Sequence, residues 1–91
     1  MGNIIRNNII ENGYGEYFGH GSGHGVGLEI HEKPYVSKKD DTKLQPNMVI
    51  TIEPGIYIPG KGGIRIEDTV VVAKNKCNIL TSVDKHMLEI I

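Results

Sequence analysis

The chain has 91 residues, of which 38% are hydrophobic, with one Phe and no Trp, so it has room for one small domain with a thin core. Its formal net charge of −1 gives no electrostatic basis for binding nucleic acid or an anionic membrane. No apolar run reaches the ~20 residues of a membrane helix. A single cysteine, Cys77, excludes an internal disulfide, and the N-terminus carries no apolar signal-peptide block. These features predict a cytoplasmic protein.

The N-terminal third predicts one helix followed by loop. Apolar residues at helical spacing, followed by Asn12-Gly13 as a stop, predict a short amphipathic helix over residues 2–12. Between Tyr14 and Gly27 glycine is too dense for a helix, which indicates a loop with short extended pieces. The alternation from Leu28 to His31 is compatible with a strand.

The remainder of the chain reads mainly as strands. Residues 33–47 contain two prolines and a run of charges, which predicts a solvated loop. Strands are predicted from Met48 to Glu53 and from Ile64 to Ala73, with a turn over residues 59–63 and a brief pairing at Ile79–Leu80. The prediction is therefore a single α+β unit over residues 1–91 in which strands dominate.

Three of the 4 histidines lie in or just after a segment, residues 13–27, that holds seven of the 12 glycines. Imidazole ligates metals and moves protons near neutral pH, and flanking glycines let other groups approach it closely. The glycines exclude a zincin helix through His20 and His24, and His31 is not followed by the second histidine of His-Glu-x-x-His. A satisfied structural histidine remains the alternative, most strongly for His20. His86 lies outside this pattern and is expected at the surface.

Strand parity brings charged residues together. Glu53 ends the first strong strand, and Arg65 and Glu67 share one face of the second. If the isoleucines between them pack on a core, all three charged side chains point to the opposite side. Two interpretations remain open at this point. One is a structural salt bridge between Arg65 and one glutamate, and the other is a metal site that includes a histidine.

Four motifs in order resemble the Xaa-Pro peptidases, the aminopeptidase P and prolidase branch of the pita-bread metallopeptidases. The similarity extends from about Ile4 to the C-terminus and implies the C-terminal portion of a pita-bread fold, mostly antiparallel strands with one N-terminal helix. The motifs are His20-Gly21-Ser22-Gly23-His24-Gly25-Val26-Gly27-Leu28, His31-Glu32-Lys33-Pro34, Thr51-Ile52-Glu53-Pro54-Gly55-Ile56-Tyr57 and Gly63-Ile64-Arg65-Ile66-Glu67-Asp68.

The resemblance implies a divalent metal site. His24 would ligate a metal through a ring nitrogen. Glu53 would bind the same metal and shuttle the proton of the attacking water. Glu67 would bridge two divalent ions, which are manganese, cobalt or zinc in this family.

The resemblance also implies a substrate side, for a peptide with proline at its second position. His31 would steady the scissile carbonyl as it becomes tetrahedral. His20 and Arg65 would line the substrate, and Arg65 could also hold Glu67 ionised.

The family site uses two further aspartates, on a strand upstream of the histidine motif, and this chain begins too close to that motif to contain them. Residues 1–91 are therefore expected to be the C-terminal part of a catalytic domain. His24, Glu53 and Glu67 would hold at most one ion well. The isolated chain is expected to be inactive and weakly stable, or to fold with a complementary N-terminal fragment. The full-length enzyme is expected to be a homo-oligomer.

Two alternatives differ in class. One is a non-catalytic remnant of the fold that binds peptides or a partner subunit. The other is a creatinase-like, metal-free hydrolase, against which the retention of all three ligand-type residues argues.

Overall fold

The computed structural model describes residues 2–19, 21–83 and 85, so the predictions for His20 and His86 lie outside the described residues. No helix within these ranges is long and apolar enough to cross a bilayer. The elements are the helix α1 (Gly2–Glu11), a 3-10 turn (Gly15–Tyr17) and the strands β1 (His24–Gly25), β2 (Glu32–Tyr35), β3 (Val49–Ile52), β4 (Gly55–Ile58), β5 (Gly62–Arg65), β6 (Asp68–Val72) and β7 (Cys77–Ile79).

Helix α1 ends where the sequence predicts. Gly13 adopts a φ of +88°, its N–H donates to the Ile10 carbonyl at 3.0 Å, and the Tyr14 N–H donates to the Ile9 carbonyl at 3.1 Å. This pair of bonds is a Schellman cap, in which a residue in the left-handed region satisfies carbonyls at the helix end. Glycine adopts that conformation without a Cβ penalty.

Five strands form an antiparallel sheet in the order β2-β1-β3-β6-β7. The core of this sheet is small and consists of Val36, Ile50 and Val70, each at most 2% exposed, with several partly buried aliphatic side chains packed around it. β3 is central, which explains why adjacent residues Ile50 and Thr51 are both buried although they point to opposite faces. The expected α+β class with mostly antiparallel strands is confirmed.

The prediction of a strand at Leu28–His31 and of a loop throughout residues 33–47 is wrong. Residues 28–31 form a bend, closed by a hydrogen bond from Gly27 N–H to the Glu29 carbonyl and by the Glu32 carboxylate, which accepts the Glu29 N–H. The strand comes later, as β2, and contains Pro34. Because β2 lies at the sheet edge, a residue without an N–H is tolerated there.

The prediction of one strand from Ile64 to Ala73 is also wrong. The chain forms β5, leaves the ladder at Ile66 and Glu67, and continues as β6. β5 pairs with β4 in a separate two-stranded hairpin, whereas β6 pairs with β3 in the large sheet. The chain therefore crosses between the sheets at 53–54 and again at 66–67, and the Ile66 N–H donates to the Pro54 carbonyl across these crossings at 3.4 Å.

The hairpin does not bury its isoleucines as strand parity predicts. Ile64 is 62% exposed and Ile66 is 46% exposed. With Ile56 and Pro54 they face helix α1 across an open apolar groove of about 450 Å³, which we call the isoleucine groove. Its helix side is formed by Ile4, Ile5, Asn8 and Ile9.

Asp40 ties the loop after β2 back to that strand, and this contact predicts a pH dependence. Its carboxylate accepts the Thr42 N–H at 2.9 Å and the Tyr35 N–H at 2.8 Å. Hydrogen bonds from the Thr42 side chain and from these two amides lower the pKa of Asp40 from 3.8 to about 2. Since the folded pKa lies below the unfolded one, the contribution of Asp40 to the free energy of unfolding is present above 3.8 and is lost as the pH falls towards 2.

A carboxyl-carbon NMR titration should give this low value for Asp40. In urea unfolding at stepped pH, Asp40→Asn should reduce the loss of stability between about pH 4 and pH 2 by the share that Asp40 contributes. Asp41→Asn removes an equal charge one residue away and should leave that loss unchanged. An unshifted Asp40 titration would contradict the contact.

Candidate metal centre

The histidine motif is attached to the end of β3 by two hydrogen bonds. The Glu53 N–H donates to the Ser22 carbonyl at 2.5 Å, and the His24 N–H donates to the Thr51 hydroxyl oxygen at 3.1 Å. Gly23 lies between these contacts, where a Cβ would meet the Thr51 carbonyl oxygen at 1.9 Å. The glycine therefore permits the approach that brings His24 beside Glu53.

The ring of His24 is oriented by a backbone carbonyl. Its Nδ1 lies 2.9 Å from the Gly25 carbonyl oxygen, and because a carbonyl only accepts, Nδ1 carries the hydrogen in this contact. The other nitrogen, Nε2, then presents its lone pair or a second proton to Glu53 Oε2, 3.3 Å away. Histidines that ligate metals use their second nitrogen in this way, as a donor to a carbonyl or carboxylate.

Glu53 Oε2 is a buried oxygen that accepts no hydrogen bond from the described residues. A buried carboxylate oxygen without a donor is costly, and here it faces a ring nitrogen in a site where both side chains are only 14% exposed. Two arrangements remove this desolvation cost. The imidazole can carry a proton on Nε2 and donate it to Oε2, or a metal ion can bind both atoms. With bonds of about 2.1 Å, two ligands of one metal ion lie roughly 3.0–3.4 Å apart, which matches the observed separation.

The fit to a metal ion is partial. Within residues 2–19, 21–83 and 85, no three His, Cys, Asp or Glu side chains converge as a ready metal-binding group. Glu67 reaches the site, but it does so through a hydrogen bond with Glu53. The described residues thus provide two converging donor atoms, from His24 and Glu53, and a second carboxyl group beside them.

Arg65 binds the remaining oxygen of Glu53. Its guanidinium donates to Glu53 Oε1 at 3.2 Å and lies 5.7 Å from the centre of the Tyr57 ring. The salt bridge considered as the simple alternative is therefore present, and it is formed with Glu53. It leaves Oε2 directed at His24, so it is compatible with a metal site.

The two glutamates share one electrostatic environment and titrate differently. Burial opposes ionisation of Glu53, but hydrogen bonds from Thr51 and Glu67 and the charges of His24 and Arg65 outweigh it and lower its pKa. Burial and the neighbouring Glu53 charge raise the pKa of Glu67. Glu53 is therefore the member that ionises first, as two adjacent carboxyl groups require.

Five of the six predicted site residues lie together, and the sixth, His20, is outside the described residues. The exposed ring of His31 is centred 4.3 Å from that of His24, tilted by 49°. The roles assigned to these residues remain predictions. Thr51 was missed as a site residue. Its sequence signals are that it shares a strand face with Glu53 and stands in the same motif.

Comparison with known proteins identifies the family. The model of metallopeptidase family M24 matches residues 1–74. The chain is 57% identical over 88 residues to the Xaa-Pro dipeptidase of Pyrococcus horikoshii. The matched stretch covers 97% of this chain and 25% of that protein. The chain thus spans about a quarter of the length of the curated relatives it matches.

Solved structures show the same fold. The Xaa-Pro dipeptidase from Bacillus anthracis superposes with a TM-score of 0.92 at 50% identity, covering 96% of this chain and 24% of that one. The prolidase from Pyrococcus horikoshii superposes with a TM-score of 0.90 at 57% identity, covering 96% and 25%. These matches confirm the pita-bread assignment. The fold, the motifs and the family model agree that this chain belongs to metallopeptidase family M24.

Proposed function

We propose that these 91 residues are part of the catalytic domain of a metal-dependent Xaa-Pro peptidase, which removes an N-terminal residue from a following proline. The observation that carries the proposal is the facing pair His24 Nε2 and Glu53 Oε2, with Nδ1 committed to a carbonyl and Oε2 left without a donor. Such a pair provides a nitrogen and an oxygen ligand from neighbouring segments. The names of the relatives support the peptide substrate.

His24, Glu53 and Glu67 would hold the metal, which when bound supplies a Lewis acid and lowers the pKa of a water molecule. Manganese, cobalt and zinc are the candidate ions. Glu53 takes the proton of the attacking water and passes it to the proline nitrogen as the peptide bond breaks. Its low pKa keeps it ionised, and therefore able to accept that proton, at neutral pH.

The remaining residues act on the substrate. His31 donates a hydrogen bond to the scissile carbonyl oxygen as negative charge develops on it. The 4.3 Å between the ring centres of His31 and His24 supports this role. Arg65, with a side chain 40% exposed, lines the open side of the site while fixing Oε1 of Glu53. For His20, which is outside the described residues, a substrate contact is proposed from the resemblance alone.

We further propose that the other metal ligands, the two aspartates implied by the resemblance, come from polypeptide beyond these residues, in the same longer chain or in a complementary fragment. The relatives' fourfold greater length supports this proposal. So does the isoleucine groove, an apolar surface beside the site that nothing covers within the described chain. Homo-oligomerisation is proposed for that longer protein.

Two measurements test this function. Manganese titration of the chain, followed by electron paramagnetic resonance, should show one site that His24→Ala abolishes. The chain mixed with the preceding portion of the Pyrococcus horikoshii dipeptidase should then hydrolyse an Xaa-Pro dipeptide, and a chelator should stop the reaction. Hydrolysis by the 91-residue chain alone would contradict the need for outside ligands, and hydrolysis unaffected by chelation would contradict the metal.

A further inference from the structure

Thr51 is a buried hydroxyl at the metal pair that the proposed mechanism does not use. The residue is 3% exposed and lies in the central strand β3, two positions before Glu53. A threonine in such a place needs partners for its hydroxyl, because burying an unpaired hydroxyl is unfavourable. The partner is the backbone of His24, a candidate metal ligand.

The hydroxyl oxygen accepts the His24 N–H at 3.1 Å, across 27 positions of sequence. Thr51 lies in the strand that runs into Glu53 and shares a strand face with it, since the two residues are two positions apart. The hydroxyl therefore attaches the backbone of one candidate ligand, His24, to the strand that carries the other, Glu53.

The other contacts at this point act on Glu53 and Ser22. The Glu53 N–H bond to the Ser22 carbonyl joins the two main chains two positions before His24. Arg65 holds Oε1 of Glu53 from an exposed position, where a guanidinium is screened by solvent. The Thr51 hydroxyl is a buried side-chain group that binds the His24 N–H itself.

Resting on the proposed function, we infer that Thr51 is a positioning residue, whose hydroxyl holds the backbone of His24 beside the strand that runs into Glu53 and thereby preorganises the metal site. Groups that orient metal ligands are worth about 10–100-fold in metal affinity. A methyl group cannot replace the hydroxyl. Thr51→Val keeps the shape and removes the acceptor of the His24 N–H, whereas Thr51→Ser keeps the hydroxyl and removes a methyl.

The test compares these two variants in the 91-residue chain with Thr69→Val, which removes a hydroxyl from the residue directly paired with Thr51 in β6. Manganese affinity should fall about 10–100-fold in Thr51→Val, stay within about threefold in Thr51→Ser and be unchanged in Thr69→Val. Two metal-free NMR signatures should follow the same order. The His24 amide should exchange roughly three- to tenfold faster in Thr51→Val, and the His24 ring nitrogen resonances should move.

Two results would overturn the inference. One is a Thr51→Ser chain that loses these readouts as Thr51→Val does, and the other is a Thr51→Val chain with wild-type His24 amide exchange and ring resonances. An equal loss in Thr69→Val would overturn it too, because the effect would then belong to sheet packing. A wild-type chain that binds no manganese contradicts the proposed function instead. In that case the two metal-free signatures still decide whether Thr51 orients the pair.

Discussion

Glu53→Gln is expected to abolish manganese binding by the chain and to lower the activity of the complemented enzyme by about 10²–10⁴-fold. The amide has nearly the shape of the carboxylate, so the hydrogen bond from Arg65 can persist on its oxygen. It carries no charge to offset a cation beside His24 Nε2, and it cannot accept the proton of a water molecule. Manganese titration and the rate on an Xaa-Pro dipeptide measure the two effects.

Glu29→Gln is the matched control for this change. Its side chain is exposed, it lies in the bend that precedes β2, and the substitution removes the same charge. Manganese affinity and rate should both remain at wild-type values. If Glu53→Gln bound manganese as the wild type does, Glu53 would not be a ligand, and the proposed proton transfer would have to be assigned to another group.

Gly23→Ala is expected to destabilise the chain by roughly 1–3 kcal/mol or more, and to remove manganese binding with it. The new Cβ would meet the Thr51 carbonyl oxygen at 1.9 Å and the Thr51 carbonyl carbon at 2.9 Å. These are backbone atoms of the central strand, so relief requires separating the histidine segment from β3. That separation breaks the two hydrogen bonds that bring His24 beside Glu53.

Gly21→Ala provides the comparison, two residues away in the same segment. A Cβ there would lie 3.5 Å from Ser37 Cβ and from the Val36 carbonyl oxygen, which are ordinary contacts. Urea unfolding should therefore give nearly the wild-type free energy for Gly21→Ala and a much lower one for Gly23→Ala. Equal effects of the two substitutions would show that glycine is required here for chain flexibility and not for close approach.

The sequence predicts helix α1 and strand β3 well because both depend on local signals. An isoleucine pattern with a glycine cap defines the helix, and a β-branched run defines the strand. The errors arise where tertiary context decides. Pro34 reads as a strand breaker, yet an edge strand does not need its N–H. The run from Ile64 to Ala73 reads as one strand, since nothing local reports that its two halves join different sheets.

The site was predictable to a similar degree. The motifs brought out His24, Glu53, Arg65 and Glu67, and those residues do meet. The spacing does not tell which glutamate binds Arg65, because Glu53 and Glu67 are equally eligible by strand parity. Thr51 escaped notice because a threonine in a strand is common, and only its contact with the His24 N–H distinguishes it from any other β-branched residue.

The two crossings between the sheets have a thermodynamic consequence. Glu53 lies in the first crossing and Glu67 in the second, so the spacing of these carboxylates depends on how the β4–β5 hairpin is set against the large sheet. The same hairpin forms one wall of the isoleucine groove. Polypeptide that covers the groove and a cation that binds the carboxylates would thus favour the same hairpin orientation. Linkage then requires each to raise the affinity for the other by the same factor.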